Sequence, residues 1–183
     1  MSRFKMPIAV TMHLDAASAA SVREIWRVLA ESGIDSDRHR LGYAPHITLA
    51  TYADDVAACL IAQAVRKLAK QWEPAPVKLI ALGIFPGTRS VLWIVPTVSR
   101  LLLERHAELQ AALPGVQPSF HYQPGQWVPH VTISGPLVDP TLGVSKLAPM
   151  WQPIEGWLEQ IEIVRFRPIQ VLESFQLLRH RSK

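Results

Sequence analysis

One short pattern occurs twice in the chain, and both copies hold residue types that can move protons. Residues 45–50 read PHITLA, and residues 129–134, about half the chain later, read PHVTIS. Histidine titrates near neutral pH, so one imidazole can accept a proton while another donates one. Threonine hydroxyls can donate hydrogen bonds to oxygens on which negative charge accumulates. These groups suit the cleavage or formation of a phosphodiester, and the scheme requires no metal ion.

The spacing within each motif determines where its polar groups point. Residues i and i+2 of a strand share a face, so His46 lies beside Thr48, and His130 beside Thr132. The apolar residue between each pair points the other way, into the core. If the two motifs belong to related halves that face each other, four polar groups converge on one cleft.

The paired His-x-Thr motifs resemble the two-histidine (2H) phosphoesterase superfamily, and within it the LigT-like, 2′-5′ RNA ligase family. The middle of the chain is similar to that family too, in residues 82–86 (LGIFP), Arg89 and residues 91–93 (VLW) ahead of a helix. The resemblance covers nearly the whole chain. It implies a bilobal α+β fold with pseudo-twofold symmetry, in which two antiparallel sheets line a central cleft and the helices lie outside.

The resemblance also implies an activity. It points to a 2′,3′-cyclic phosphodiesterase acting on RNA ends or small cyclic nucleotides, with reversible 2′-5′ RNA ligation and no cofactor or metal. His46 and His130 would be catalytic, and Thr48 and Thr132 would bind phosphate. By analogy His46 would protonate the leaving group and His130 would be the base, but the pseudo-symmetry leaves that order open.

Three residues outside the motifs are candidates for binding substrate. Tyr122 and Trp127 precede the second motif, where a base could stack on them, with surface or core packing as the alternative. Arg89 lies in a predicted hairpin turn, from which it could reach a phosphate or remain exposed.

Other polar residues are open to two interpretations. Thr11 and His13 could touch a ligand if their face of the first strand looks into the cleft. Arg38 and Arg40 could guide a nucleic-acid backbone, although a solvated loop is the simpler interpretation. His106 falls on the apolar side of a predicted helix, which favours a structural role.

The elements around the motifs mix strands and helices without strict βαβ alternation, which favours antiparallel sheets. The predicted strands are 6–14, 45–52, 77–85, 90–95, 127–135, 157–167 and 169–179. The predicted helices are 15–32, 54–72 and 97–113, with a short one within 139–151. Residues 35–44 and 114–126 are predicted loops. The glycine-rich sequences of dinucleotide-binding and NTP-binding sites are absent.

Composition places the chain among globular proteins. It has 183 residues, 49% of them hydrophobic and 19% charged, so we expect an ordered single domain, 1–183, made of two lobes. The net charge of +4 favours a phosphate-bearing ligand, without a block of like charges. We expect a monomer.

Cysteine content and hydropathy indicate the compartment. The single cysteine, Cys59, excludes an intramolecular disulfide and a four-cysteine zinc site, and we expect it to be buried. No apolar run approaches the length of a membrane span, and the first residues favour a strand over a signal peptide. The sequence therefore predicts a cytoplasmic protein with no membrane partner.

Two alternative functions stay open. The same chemistry could act on another small nucleotide, such as 2′-5′ oligoadenylate or a cyclic ADP-ribose derivative. The cleft could instead bind a nucleotide or RNA without turnover. A zinc site built on the two histidines is disfavoured, because the sequence offers no clear third ligand.

Overall fold

The computed structural model describes residues 6–54, 56–166 and 168–178. In these ranges the strands are β1 (Ile8–Leu14), β2 (His46–Tyr52), β3 (Ala75–Phe85), β4 (Val91–Pro96), β5 (Val131–Thr132), β6 (Ile154–Arg165) and β7 (Gln170–Gln176). The α-helices are α1 (Ala16–Glu31), α2 (Asp37–Leu41), α3 (Ala58–Ala69), α4 (Arg100–Ala111) and α5 (Pro140–Leu147), with short 3-10 helices at Phe120–Tyr122 and Ala148–Met150. Within the described ranges, no helix is both long and apolar enough to cross a membrane.

The strands form an antiparallel sheet in the order β2-β1-β6-β3-β4-β5, with β7 also paired to β6. The α+β class with antiparallel strands is therefore confirmed. Two separate sheets were expected, but hydrogen bonds join the strands into one. The reason is the length of β6: its residues 154–158 pair with β3, and its residues 158–165 pair with β1. The pairs β1–β2 and β4–β5, at opposite ends of the sheet, each carry one motif.

Most predicted elements are present with ends shifted by a few residues, and two segments differ. Residues 35–44, predicted as a loop, contain the short helix α2. Residues 127–135, predicted as a strand, pair regularly only at Val131–Thr132. The ladder ends there because the backbone amides of Ile133 and Ser134 both donate to the carbonyl of Leu92. The strand ends predicted at Arg167 and Arg179 lie outside the described residues.

Helix α3 corrects the prediction for Cys59, which is exposed. The buried stripe of this helix runs through Ile61, Ala64, Val65 and Leu68. Cys59 precedes Ile61 by two residues, about 200° around the helix axis, so its side chain lies on the outer face.

Asp15 ties the start of α1 to β6. Its Oδ1 accepts hydrogen bonds from the backbone amides of Ala17 and Ser18, at 3.0 and 3.1 Å. Its Oδ2 accepts from the Ser18 hydroxyl at 2.7 Å and from the Trp157 amide at 2.5 Å. Gly156 leaves room for this contact, since a Cβ there would collide with Asp15 Oδ2. Burial works to raise the pKa of Asp15, but these hydrogen bonds outweigh it and lower the pKa.

Asp15→Ala should lower the free energy of unfolding by about 2 kcal/mol, because both a helix cap and a tie to β6 are lost. Urea denaturation at pH 7 measures the change. Since folding lowers the pKa of Asp15, its contribution is present above about pH 4 and is lost as the pH falls further. Ser36→Ala is the control, because Ser36 caps α2 without a side-chain hydrogen bond. Equal stability of the two variants would contradict the assignment.

Candidate active site

The two motifs meet in one cavity of about 230 Å³. His46 and Thr48 enter it from β2, and His130 and Thr132 from the β5 segment. The other lining residues are Ala9, Thr11, Arg38, Leu41, Tyr43, Thr51, Tyr122, Val164, Phe166 and Ile169. The four residues singled out by the repeated pattern therefore share a single site.

Strand alternation explains why the motif side chains face the cavity. In β2, Ile47 and Leu49 have no exposed surface, and in the second motif Val131 and Ile133 are equally buried. The histidine and threonine of each motif lie on the opposite face and are half-buried. Each strand therefore holds its polar pair in place by burying the apolar residues between and after them.

Both motif histidines are oriented by the same backbone contact. His46 Nδ1 donates to the carbonyl oxygen of Ala44 at 2.7 Å, and His130 Nδ1 donates to that of Val128 at 2.8 Å. With the proton of the neutral ring held on Nδ1, Nε2 is the nitrogen that can take up a proton. The repeated contact therefore makes Nε2 the reactive atom of both imidazoles.

Burial favours the neutral form of both imidazoles. It lowers the pKa of His46 to about 3, against the opposing effect of the bond to Ala44. The charge of Arg38 lowers this pKa further, as do His13 and His130 when they are protonated. Burial also lowers the pKa of His130, while the bond to Val128 opposes the shift. Near pH 7 the unliganded site thus holds two proton acceptors, and an anion bound between them would favour protonation of one.

A buried polar network lies behind His46. The Tyr43 hydroxyl donates to Glu162 Oε2 at 3.0 Å and also contacts His13 Nε2 at 2.9 Å and Thr11 Oγ1 at 3.0 Å. The Tyr43 ring packs on His46 with 4.9 Å between ring centroids. Thr11 lines the cavity, whereas His13 lies in the layer behind it. Of the two candidates on the first strand, Thr11 therefore belongs to the cavity wall and His13 to the residues that support it.

Aromatic rings surround His130 instead. The centroid of its imidazole lies 4.9 Å from that of Phe85 and 5.9 Å from that of Trp93, both in edge-on contacts. The Phe85 and Trp93 rings stack on each other with 4.8 Å between centroids. Gly83 admits this stack, because a Cβ there would lie 2.5 Å from the Trp93 ring. The two histidines thus share one backbone contact but stand in different surroundings, one polar and one apolar.

Two tryptophans donate hydrogen bonds between the N-terminal and C-terminal halves of the chain. Trp26 of α1 donates its indole N–H to the carbonyl of Thr132 at 3.3 Å. Trp127, which precedes the second motif, donates to the carbonyl of Thr48 at 3.0 Å. Trp127 also stacks on His106 with 4.2 Å between ring centroids. Each half therefore braces the threonine of the other half's motif.

The structure separates the three outlying candidates. Tyr122 lines the cavity together with Thr48. Trp127 does not line the cavity, and its indole N–H donates to the backbone carbonyl of Thr48. Arg89 is exposed in the turn between β3 and β4 and does not line the cavity. Arg38 lines the cavity instead.

Leu41 and Glu162 were not predicted from the sequence, and Arg38 was a candidate only together with Arg40, in a predicted loop. Arg38 and Leu41 reach the cavity from one face of α2, a helix within the segment predicted as a loop. Glu162 carried a signal, since it is a carboxylate among the buried apolar residues of β6. Within the described ranges, no cluster of three or more histidine, cysteine or acidic side chains is arranged to hold a metal.

Comparison with known families agrees with the geometry. The family model described as the 2′-5′ RNA ligase superfamily matches residues 16–168, a range that includes both motifs. The chain belongs to the 2′-5′ RNA ligase superfamily. The resemblance drawn from the His-x-Thr pairs is thereby confirmed, and membership supports a phosphoesterase or ligase role. A search of curated proteins found no match.

Solved structures show the same fold at low sequence identity. TT0787 of Thermus thermophilus is 21% identical, covers 96% of this chain and 100% of its own, and has a TM-score of 0.65. E. coli LigT complexed with 3′-AMP is 17% identical, with coverage of 96% and 99% and a TM-score of 0.61. Kluyveromyces marxianus Usb1 is 11% identical, with coverage of 94% and 98% and a TM-score of 0.52. The superfamily fold therefore extends over nearly the whole chain.

Trp26→Phe and Trp127→Phe should each lower the free energy of unfolding by about 1–2 kcal/mol, because a motif carbonyl loses its indole donor. Thermal or urea unfolding measures the effect. Trp151→Phe is the matched control, since its indole donates to the Ile80 carbonyl at an exposed position. If the control is as destabilised as the other two, the exchange of hydrogen bonds does not brace the site.

Proposed function

We propose that the protein is a metal-independent phosphodiesterase that opens 2′,3′-cyclic phosphates at RNA ends or on nucleotides. The proposal rests on one observation: two imidazoles, each with Nδ1 bonded to a backbone carbonyl, share a cavity with two threonine hydroxyls. It would act as a cytoplasmic monomer.

Hydrolysis in this site needs one neutral and one protonated imidazole. The neutral Nε2 takes a proton from water as the water oxygen bonds to phosphorus. The bond from phosphorus to one ribose oxygen breaks, and the protonated Nε2 of the other ring gives its proton to that oxygen. Each proton transfer typically contributes about 10²–10⁴ in rate. The two Nδ1–H bonds keep both rings aligned and support whichever is cationic.

Thr48 and Thr132 supply the electrostatic part of the reaction. Their hydroxyls flank the two imidazoles and can donate to the non-bridging phosphate oxygens, where charge grows in the transition state. When an RNA 5′-hydroxyl takes the place of water, the same proton transfers join it to the phosphorus. Opening of the ring at the 3′ oxygen then leaves a 2′-5′ bond.

The remaining wall of the cavity is compatible with a nucleoside. Ala9, Leu41, Val164, Phe166 and Ile169 make one part of the lining apolar, beside the polar motif groups. A mostly apolar pocket with a few convergent polar groups is typical of small-ligand sites. The E. coli LigT structures with phosphate and with 3′-AMP support a phosphate or nucleotide as ligand here.

His46→Ala and His130→Ala should each reduce kcat/KM by at least about 100-fold, because each removes one proton transfer. The substrate is an RNA oligonucleotide ending in 2′,3′-cyclic phosphate, in the presence of EDTA. The position of the new phosphomonoester identifies the bond that breaks.

His39→Ala is the control for these variants, because His39 is exposed and outside the cavity. A loss smaller than about tenfold in either motif variant would rule out the two-histidine mechanism. Nucleotide binding by the wild type without turnover would favour the binding-module alternative.

The value of kcat/KM should fall as the pH rises from about 6 to 8, by up to about tenfold per unit. Burial lowers the pKa of His46 and of His130, so the singly protonated free enzyme becomes scarcer at higher pH. The decline in kcat should begin at a higher pH, because the bound anion raises the pKa of the proton donor. Initial rates measured over this pH range test the predictions for kcat/KM and for kcat. A kcat/KM that is constant or rises with pH would contradict these shifts.

A further inference from the structure

Arg38 is the charged side chain that lines the cavity within residues 6–54, 56–166 and 168–178. Its side chain is only 18% exposed. It lies close enough to His46 for its charge to contribute to the lowered pKa of that imidazole. A cation enclosed beside two neutral rings is poorly solvated, so an anion entering the cavity gains a strong partner.

The guanidinium of Arg38 retains a hydrogen-bond donor for that anion. Nη2 donates to Asp37 Oδ2 at 2.5 Å, and because a guanidinium has five N–H donors, others are left for a ligand oxygen in the cavity. An unpartnered charged donor costs free energy in the unliganded state, and a ligand oxygen that accepts from it recovers that cost. Phosphate oxygens suit this donor by charge and geometry.

The position of Arg38 depends on Gly135, five residues after His130. The Gly135 amide donates to Asp35 Oδ2 at 3.1 Å, and a Cβ at Gly135 would lie 3.0 Å from Asp37 Cβ. The start of α2 therefore rests against the segment that follows the second motif. This contact holds Arg38 between the two motifs, although in sequence it precedes only the first.

We infer that Arg38 binds a non-bridging oxygen of the phosphate held between His46 and His130. The inference rests on the proposed function and adds a residue that the motifs do not contain. Arg38 and the two threonines then surround the phosphate with three donors, of which Arg38 alone carries a full charge. Because the charge on these oxygens grows as water attacks, Arg38 stabilises the transition state as well as the bound substrate.

Two measurements on the wild type, Arg38→Ala, Arg38→Lys and Arg40→Ala test this inference. Calorimetric titration with inorganic phosphate reports binding without any turnover. Steady-state kinetics on the cyclic-phosphate RNA report kcat and KM separately. Arg40 is the matched control, because it carries the same charge on the same helix but is exposed and outside the cavity.

Arg38→Ala should weaken phosphate binding at least about tenfold and lower kcat/KM about 100-fold, with a loss in kcat as well as a rise in KM. Arg38→Lys should recover part of the loss, since it keeps the charge but not the planar donor. Arg40→Ala should stay within about twofold of the wild type. Arg38→Ala should also raise the pKa of His46, measured by NMR, whereas Arg38→Lys, which keeps the charge, should leave that pKa low.

The results separate this inference from the proposed function. Suppose that the wild type hydrolyses the substrate and that Arg38→Ala binds phosphate as tightly as Arg40→Ala. This result would overturn the role of Arg38 and leave the proposed function standing. Absence of hydrolysis by the wild type would overturn the function, while the phosphate titration would still decide about Arg38. Failure of the wild type to bind phosphate at millimolar concentrations would overturn the inference.

Discussion

The hydrogen bond from Nδ1 of each motif histidine to the carbonyl two residues earlier is the constraint on which the site depends. It selects the tautomer and directs Nε2 toward the cavity in both halves. A histidine without this contact could rotate about its side-chain torsions or protonate on the other nitrogen. The alternation of the strand keeps the ring on the correct face, and the local contact determines which atom of the ring can react.

A site made of two halves needs a fixed distance between them, and several contacts maintain it. Strand β6 is long enough to pair with β1 and with β3, so both motif-bearing strand pairs belong to one hydrogen-bonded sheet. Trp26 and Trp127 then donate across the halves to the carbonyls of the motif threonines. Opening the cavity would break these bonds and leave buried polar groups without partners, which is costly.

The two histidines are alike in their backbone contact and different in their environment. His46 lies against the Tyr43 hydroxyl network, and His130 lies against the Phe85–Trp93 stack. Burial lowers the pKa of both rings, so both imidazoles are neutral in the unliganded site near pH 7. An anionic substrate would bring the compensating charge, which couples binding to the protonation that the reaction needs. In this scheme Arg38 makes the cavity attractive to the phosphate.

The sequence alone determined the repeated His-x-Thr pairs, their common strand face, the α+β class and most element positions. These follow from local periodicity, because residue spacing on a strand or helix decides which side chains share a face. Only the tertiary structure decided the partners that lie far apart in the chain: Trp26 with Thr132, Tyr43 with Glu162, and α2 with Gly135. It also decided that Arg38 lines the cavity and Arg89 does not. The sequence could not place Arg38, because a five-residue helix leaves little periodic signal. Contacts of this kind depend on the relative placement of whole elements, which no spacing within one element encodes.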